Sequence, residues 1–256
     1  MSQPELSDQA RVFREELEAS LLACTGDVFP LSASDSTDGT LISIRNPRDE
    51  DSTPILIPLR VKGENERPET LLGIELEYKC YLSETHRYLT VKSSMIKVWP
   101  LAKTRGEPLF RYDFEKDAPV DVPSSHVQVH AHRDAFTHLL GHSGTQFRRA
   151  KRRAERALNQ KIPAVSEFHF TTGGERFRPC LEDILESLRI EFGLSVDMQT
   201  WGPRLSKART TWRLTQLKAA VRDSPLTAAQ TLEDMFGIQI HLPDEACDRQ
   251  DRLTKS

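Results

Sequence analysis

Residues 69–82 read ETLLGIELEYKCYL. Leu72, Ile74, Leu76, Tyr78 and Cys80 share one parity, and Glu75, Glu77 and Lys79 share the other. An extended chain turns successive side chains to opposite faces, so a period of two predicts a half-buried antiparallel strand with a polar outer face. A helix would scatter the same residues around its axis.

Working outward, the same period recurs. Ile42 and Ile44 share a face, as do Ile55, Ile57, Leu59 and Val61. Pro58 cannot donate to a ladder, which marks its segment as an edge strand. In 86–100, Leu89 and Val91 lie on one parity and Ile96 and Val98 on the other, so a bulge near Ser93-Ser94 is expected. LFRYDFE (109–115) sets Phe110, Tyr112 and Phe114 against Arg111, Asp113 and Glu115. SHVQVHAH (125–132) and 164–172 add further strands. The expectation is an antiparallel sheet of about six to seven strands.

Helical spacing frames the sheet. Leu6, Ala10, Phe13, Leu17 and Leu21 predict an N-terminal helix, with Ser2 and Glu5 at capping-box spacing. Pro179 opens a helix striped by Leu181, Ile184, Leu185, Leu188 and Phe192, and Gly193 ends it. Residues 205–222 carry apolar residues on two faces, Ala208 and Trp212 against Leu214, Leu217 and Val221, which predicts a helix sandwiched between neighbours. Ser224-Pro225 starts a last helix that Gly237 stops, and IQIHL reads as a short edge strand. The fold class is α+β. Residues 1–172 carry the helix and sheet, 173–243 form a C-terminal helical layer, and 244–256 form a polar tail expected to be disordered.

The chain has 256 residues, enough to bury a sizeable core. A net charge of -3 excludes a general polycation, so any contact with nucleic acid must come from a local patch. The N-terminus lacks the basic-then-apolar pattern of a signal peptide, and no apolar run reaches the length of a membrane span. Cys24, Cys80, Cys180 and Cys247 are scattered, which predicts free thiols in a reducing, cytoplasmic setting.

Two segments concentrate chemistry. In 125–132, His126, Gln128, His130 and His132 share one strand face, opposite Val127, Val129 and Ala131. With the apolar parity turned to the core, the histidines would face solvent or a cleft beside Arg111 and Asp113. Imidazole suits proton transfer near neutral pH, and Arg111 could stabilise developing charge, so these five residues form the candidate catalytic set. His130-x-His132 resembles the two-histidine ligand pair of cupins, yet no carboxylate stands where the cupin glutamate belongs and Arg133 follows directly. The expectation is therefore no metal and no cofactor. In FRRAKRRAER (147–156), Arg148, Arg149, Arg152, Arg153 and Arg156 share one broad helix face beside Lys151, while Phe147, Ala150, Ala154, Ala157 and Leu158 share the other. Docked by its apolar side, that helix would offer guanidinium forks to RNA or DNA phosphates. The ExK in Glu75, Glu77 and Lys79, and the single HxT at His169–Thr171, lack the companions that nucleases and phosphoesterases need.

PLFRYDFEKD, HVQVHAHRD, FHFTTGGERFRPCLEDILE and TWRLTQLKAAVRD, in that order, resemble a group of uncharacterised bacterial proteins. Arg111, Tyr112 and Asp113 followed by a histidine-rich strand also resemble, distantly, the TumE-like toxins of toxin–antitoxin pairs. That resemblance implies a toxin-like ribonuclease. The alternative is a non-catalytic protein-interaction module whose partner buries the same histidine and arginine surface.

Overall fold

In the computed structural model, which describes residues 5–62, 68–83, 88–100, 104, 107–119, 122–130, 170–172 and 174–249, the stretch 69–82 lies within the longest strand of an eight-stranded sheet. The elements in chain order are α1 (Leu6–Thr25), β1 (Ser32–Asp35), β2 (Ile42–Arg45), β3 (Ile57–Lys62), β4 (Pro68–Leu82), β5 (Leu89–Pro100), β6 (Phe110–Glu115), β7 (Ser125–Val129) and β8 (Phe170–Thr171). Four helices follow: α2 (Gly174–Phe177), α3 (Leu181–Phe192), α4 (Met198–Asp223) and α5 (Pro225–Phe236). The α+β architecture expected from periodicity is the one observed, with the short β1 and β8 extending the sheet.

All described pairings are antiparallel, in the order β1-β2-β4-β5-β6-β7-β8, with β3 also paired to β4. Two strands thus share one edge of β4: β2 pairs with 77–80 and β3 with 68–74. Buried Asn46 fills the gap between them. Its amide donates to the carbonyls of Ile55 (2.8 Å) and Ile74 (3.1 Å), and its Oδ1 accepts from the Leu76 amide (2.9 Å). Pro58 lies on β3, at this edge, as its missing donor requires. The bulge falls one residue from its expected place: Lys79 pairs with Ser93 but Cys80 with Val91, so Lys92 is the extra residue.

Leu72, Ile74, Leu76, Tyr78 and Cys80 are buried against α1, α3 and the first half of α4, in one core with Leu17, Leu21, Ile184, Leu185, Leu188 and Trp201. The N-cap of α1 is Glu5, whose side chain makes no cap bond, and Ser2 lies outside the described residues. Gly193 (φ 70°) and Gly237 (φ 66°) end their helices in the left-handed conformation that glycine adopts without strain.

Three expectations are corrected. Leu214, Leu217 and Val221 are exposed, so α4 is covered on one side and not sandwiched; Phe192, at the end of the α3 stripe, is exposed too. IQIHL pairs with no strand among the described residues, and Ile238 and Ile240 are exposed. The tail folds back as far as Arg249: Asp248 accepts from the amides of Leu226 and Thr227, which supplies the acceptor that the α5 N-terminus needs, and the Arg249 amide donates to the Asp223 carbonyl.

Candidate functional site

The parity read for the histidine strand holds, but its burial does not. In β7, His126 and Gln128 are buried while Val127 and Val129 are half-buried. The polar face of the sheet is partly buried here: Glu75, His126 and Gln128 are buried, and the charges beside them pair with one another. Register sets Glu75, Lys97, Arg111 and Gln128 in one row across β4 to β7, and Glu77, Met95, Asp113 and His126 in the next. Glu75 accepts from the Trp99 indole (3.1 Å) and lies 3.3 Å from the Lys97 ammonium. Arg111 Nε lies 2.8 Å from Asp113 Oδ2, an ion pair by distance whose N–H is not aimed at the carboxylate.

His126 is held at one ring nitrogen: Nδ1 donates to the Pro123 carbonyl at 2.9 Å, and Nε2 lies 3.5 Å from Asp113 Oδ2. His130 lies four residues on, roughly 13 Å along a strand, with Nδ1 3.3 Å from Glu107 and a buried Nε2 that makes no hydrogen bond. The structure thus joins Arg111, Asp113 and His126 and leaves His130 apart from them. His132, His138, His142, and the basic segment with Arg148, Arg149, Lys151, Arg152, Arg153 and Arg156 lie outside the described residues. Among the described residues, no three His, Cys, Asp or Glu side chains cluster in a way that could hold a metal ion.

A concavity lies on the opposite, helix-covered face. There α1 and the second half of α4 roof β4, β5 and β6 over a cavity of about 740 Å³. Phe13 and Leu17 of α1 form one wall, Tyr78, Ile96, Tyr112 and Phe114 the floor, and Ala208 and Trp212 of α4 the far wall. Phe13 meets Tyr78 edge-on, with centroids 5.3 Å apart. Arg178 projects from the turn before α3, with its guanidinium 3.7 Å from the Phe114 ring centroid and 4.9 Å from that of Trp212. The Trp212 indole donates to the Arg178 carbonyl (3.2 Å), which fixes ring and backbone together. Opposite, buried Glu182 accepts from Ser20, and Ser20 accepts from Arg204 Nε (2.9 Å), which also pairs with Glu16 (2.7 Å).

Burial pushes the phenols of Tyr78 and Tyr112 upward, and Glu182 adds to the effect at Tyr78, so both are protonated donors at neutral pH. Among the described lining residues, seven Arg and Lys outnumber five Asp and Glu, although the chain carries a net charge of -3. The site can therefore exclude water from an apolar body and surround a negative group with a surplus of cationic side chains and two protonated phenols.

The sequence reading missed this cavity. Tyr112 and Phe114 were visible only as a core stripe, and Trp212 only as one face of a helix. The available signal was RFRP at 176–179, an arginine-rich turn set before a helix. No family model, curated protein or solved structure matches this chain.

Proposed function

We propose that the protein binds a small organic ligand, with an apolar or aromatic body and a negative group, in the cavity between α1, α4 and the sheet. The carrying observation is Arg178, nine-tenths buried and held between Phe114 and Trp212 at the wall of a cavity of about 740 Å³. Ligand sites are concave, mostly apolar and roughly 300–1,000 Å³, with few polar groups that fix orientation. A guanidinium stacked on rings keeps its edge donors directed while its faces are desolvated.

Anilinonaphthalene sulfonate, an aromatic anion, is a direct probe. One molecule per chain should bind with energy transfer from tryptophan. Ala208→Trp should fill the cavity and abolish binding, and Arg178→Leu should weaken it about tenfold or more. Binding that Ala208→Trp leaves intact would overturn the reading.

A second reading, nucleic-acid association, is favoured by the arginine-dense sequence FRRAKRRAERAL at 147–158. About three to five phosphate contacts to a single strand give a slope of log affinity on log salt of roughly -2 to -3.5. Arg149→Gln, Arg152→Gln and Arg153→Gln together should flatten that slope and leave folding intact; no RNA or DNA binding at low salt would end this reading. In its ribonuclease form, cleavage should depend on His130 and His132. His126→Ala should instead lower stability by about 1–3 kcal/mol, because the Pro123 carbonyl loses its donor.

A further inference from the structure

Helices α4 and α5 are joined through the single residue Ser224, and both leave apolar side chains in solvent. On α4, Leu214, Leu217 and Val221 recur along one face. On α5, no residue is buried at all, although Leu226, Met235 and Phe236 belong to it. Ile238 and Ile240 continue the exposure past Gly237. These eight large side chains are 41 to 70 % exposed. At roughly 100 Å² each, the seven without Leu226, which lies on the far side of α5 from Met235, expose on the order of 700 Å², close to the share of one partner in a standard interface. A helix as short as α5 is marginal by itself, so its stability calls for a covering surface.

The charges name the occupant. Of the six bases on α4, Arg204, Arg209 and Arg213 pair with Glu16 and Asp183 of the same chain, whereas Lys207 and Lys218 fall at helical spacing on the side of Leu214, Leu217 and Val221. Helix α5 carries Glu233 and Asp234 and no base, and Asp244 and Glu245 follow it. A surface that is apolar, basic at one end and acidic at the other is complementary to itself under two-fold rotation. We infer that the chain forms a homodimer in which α4 of each protomer lies against α5 of the other. None of these eight apolar side chains lines the cavity, so the inference stands whatever the cavity binds.

The test is the solution mass of the full chain by sedimentation equilibrium from about 1 to 50 µM. The wild type should run at twice the chain mass. Leu217→Glu and Phe236→Glu alter only exposed side chains, so each should keep the wild-type circular dichroism and run as a monomer. Lys207→Glu with Lys218→Glu reverses the two lysines on the apolar side of α4, so that acids of α4 would meet the acids of α5, and Glu233→Lys with Asp234→Lys sets bases against bases. Each double variant should be monomeric alone, and a mixture of the two should recover the dimer. A wild-type monomer at 50 µM overturns the inference, whichever other protein covers the face. A dimer that survives both Leu217→Glu and Phe236→Glu, or variants that do not recombine, overturns it as well.

Discussion

Asn46 makes three side-chain hydrogen bonds with backbone groups that no strand partner reaches, at the point where β2 leaves β4 and β3 takes over. Asn46→Ala would bury two unpaired carbonyls and one unpaired amide. The cost should be about 3 kcal/mol, seen as a fall in Tm of roughly 6–12 °C. Asn46→Asp should cost more, because a carboxylate would face two carbonyl oxygens. A loss within 1 kcal/mol for Asn46→Ala would mean that water replaces the amide. Neither role could be read from sequence, where Asn46 stands before Pro47 as an ordinary turn residue. The same limit applies at His126. Its parity followed from the period of two, but parity says which residues share a face and not whether that face is covered.

Among the elements, α3 shows how one side chain serves two tasks. Asp183 accepts from the amide and thiol of Cys180, capping its own helix, and from Arg209 Nε of α4 at 2.6 Å. Burial pushes the Asp183 pKa up, but hydrogen bonds from Cys180 and Arg209 outweigh it and hold the group below the ordinary carboxylate range. A folded pKa below the unfolded one stabilises fully above the unfolded value of roughly 3.9 and fades as pH falls through the folded value. Asp183→Asn should therefore lower the urea midpoint at pH 7 and leave it nearly unchanged near pH 2. A constant difference across that range would show that the aspartate acts by shape alone. The start of α3 just after Pro179 and its stop at Gly193, and the start of α5 at Ser224-Pro225 and its stop at Gly237, were legible in the sequence. The helix α4 was legible as amphipathic on two sides, but periodicity could not tell that Leu214, Leu217 and Val221 find no cover within the chain.

For the whole molecule, the fold class, the antiparallel pairing and the β3 edge followed from alternation and proline chemistry. The cavity did not, because it depends on how far apart α1 and α4 lie over the sheet, which no local pattern encodes. The scattered cysteines were rightly read as unpaired. Cys24, Cys80 and Cys180 are buried free thiols and Cys247 is exposed. Burial pushes Cys24 and Cys80 up to about 12, so neither offers a thiolate near neutral pH. Ellman's reagent should titrate one thiol of four in the native protein and all four in denaturant; two or more fast native thiols would contradict this packing. Among the described residues, no helix is long and apolar enough to cross a membrane.

The shared edge of β4 also carries a kinetic consequence. Strands β4 and β5 are neighbours in the chain and pair along eleven positions, whereas β2 and β3 each meet a separate part of the other edge and are not paired with one another. A central hairpin closes a short loop, and each edge strand then adds with its own loop-closure cost. Either can leave without unzipping the other. Native-state hydrogen exchange should therefore show β1 and β2 opening together, β3 opening separately, and the β4–β5 amides protected to the last.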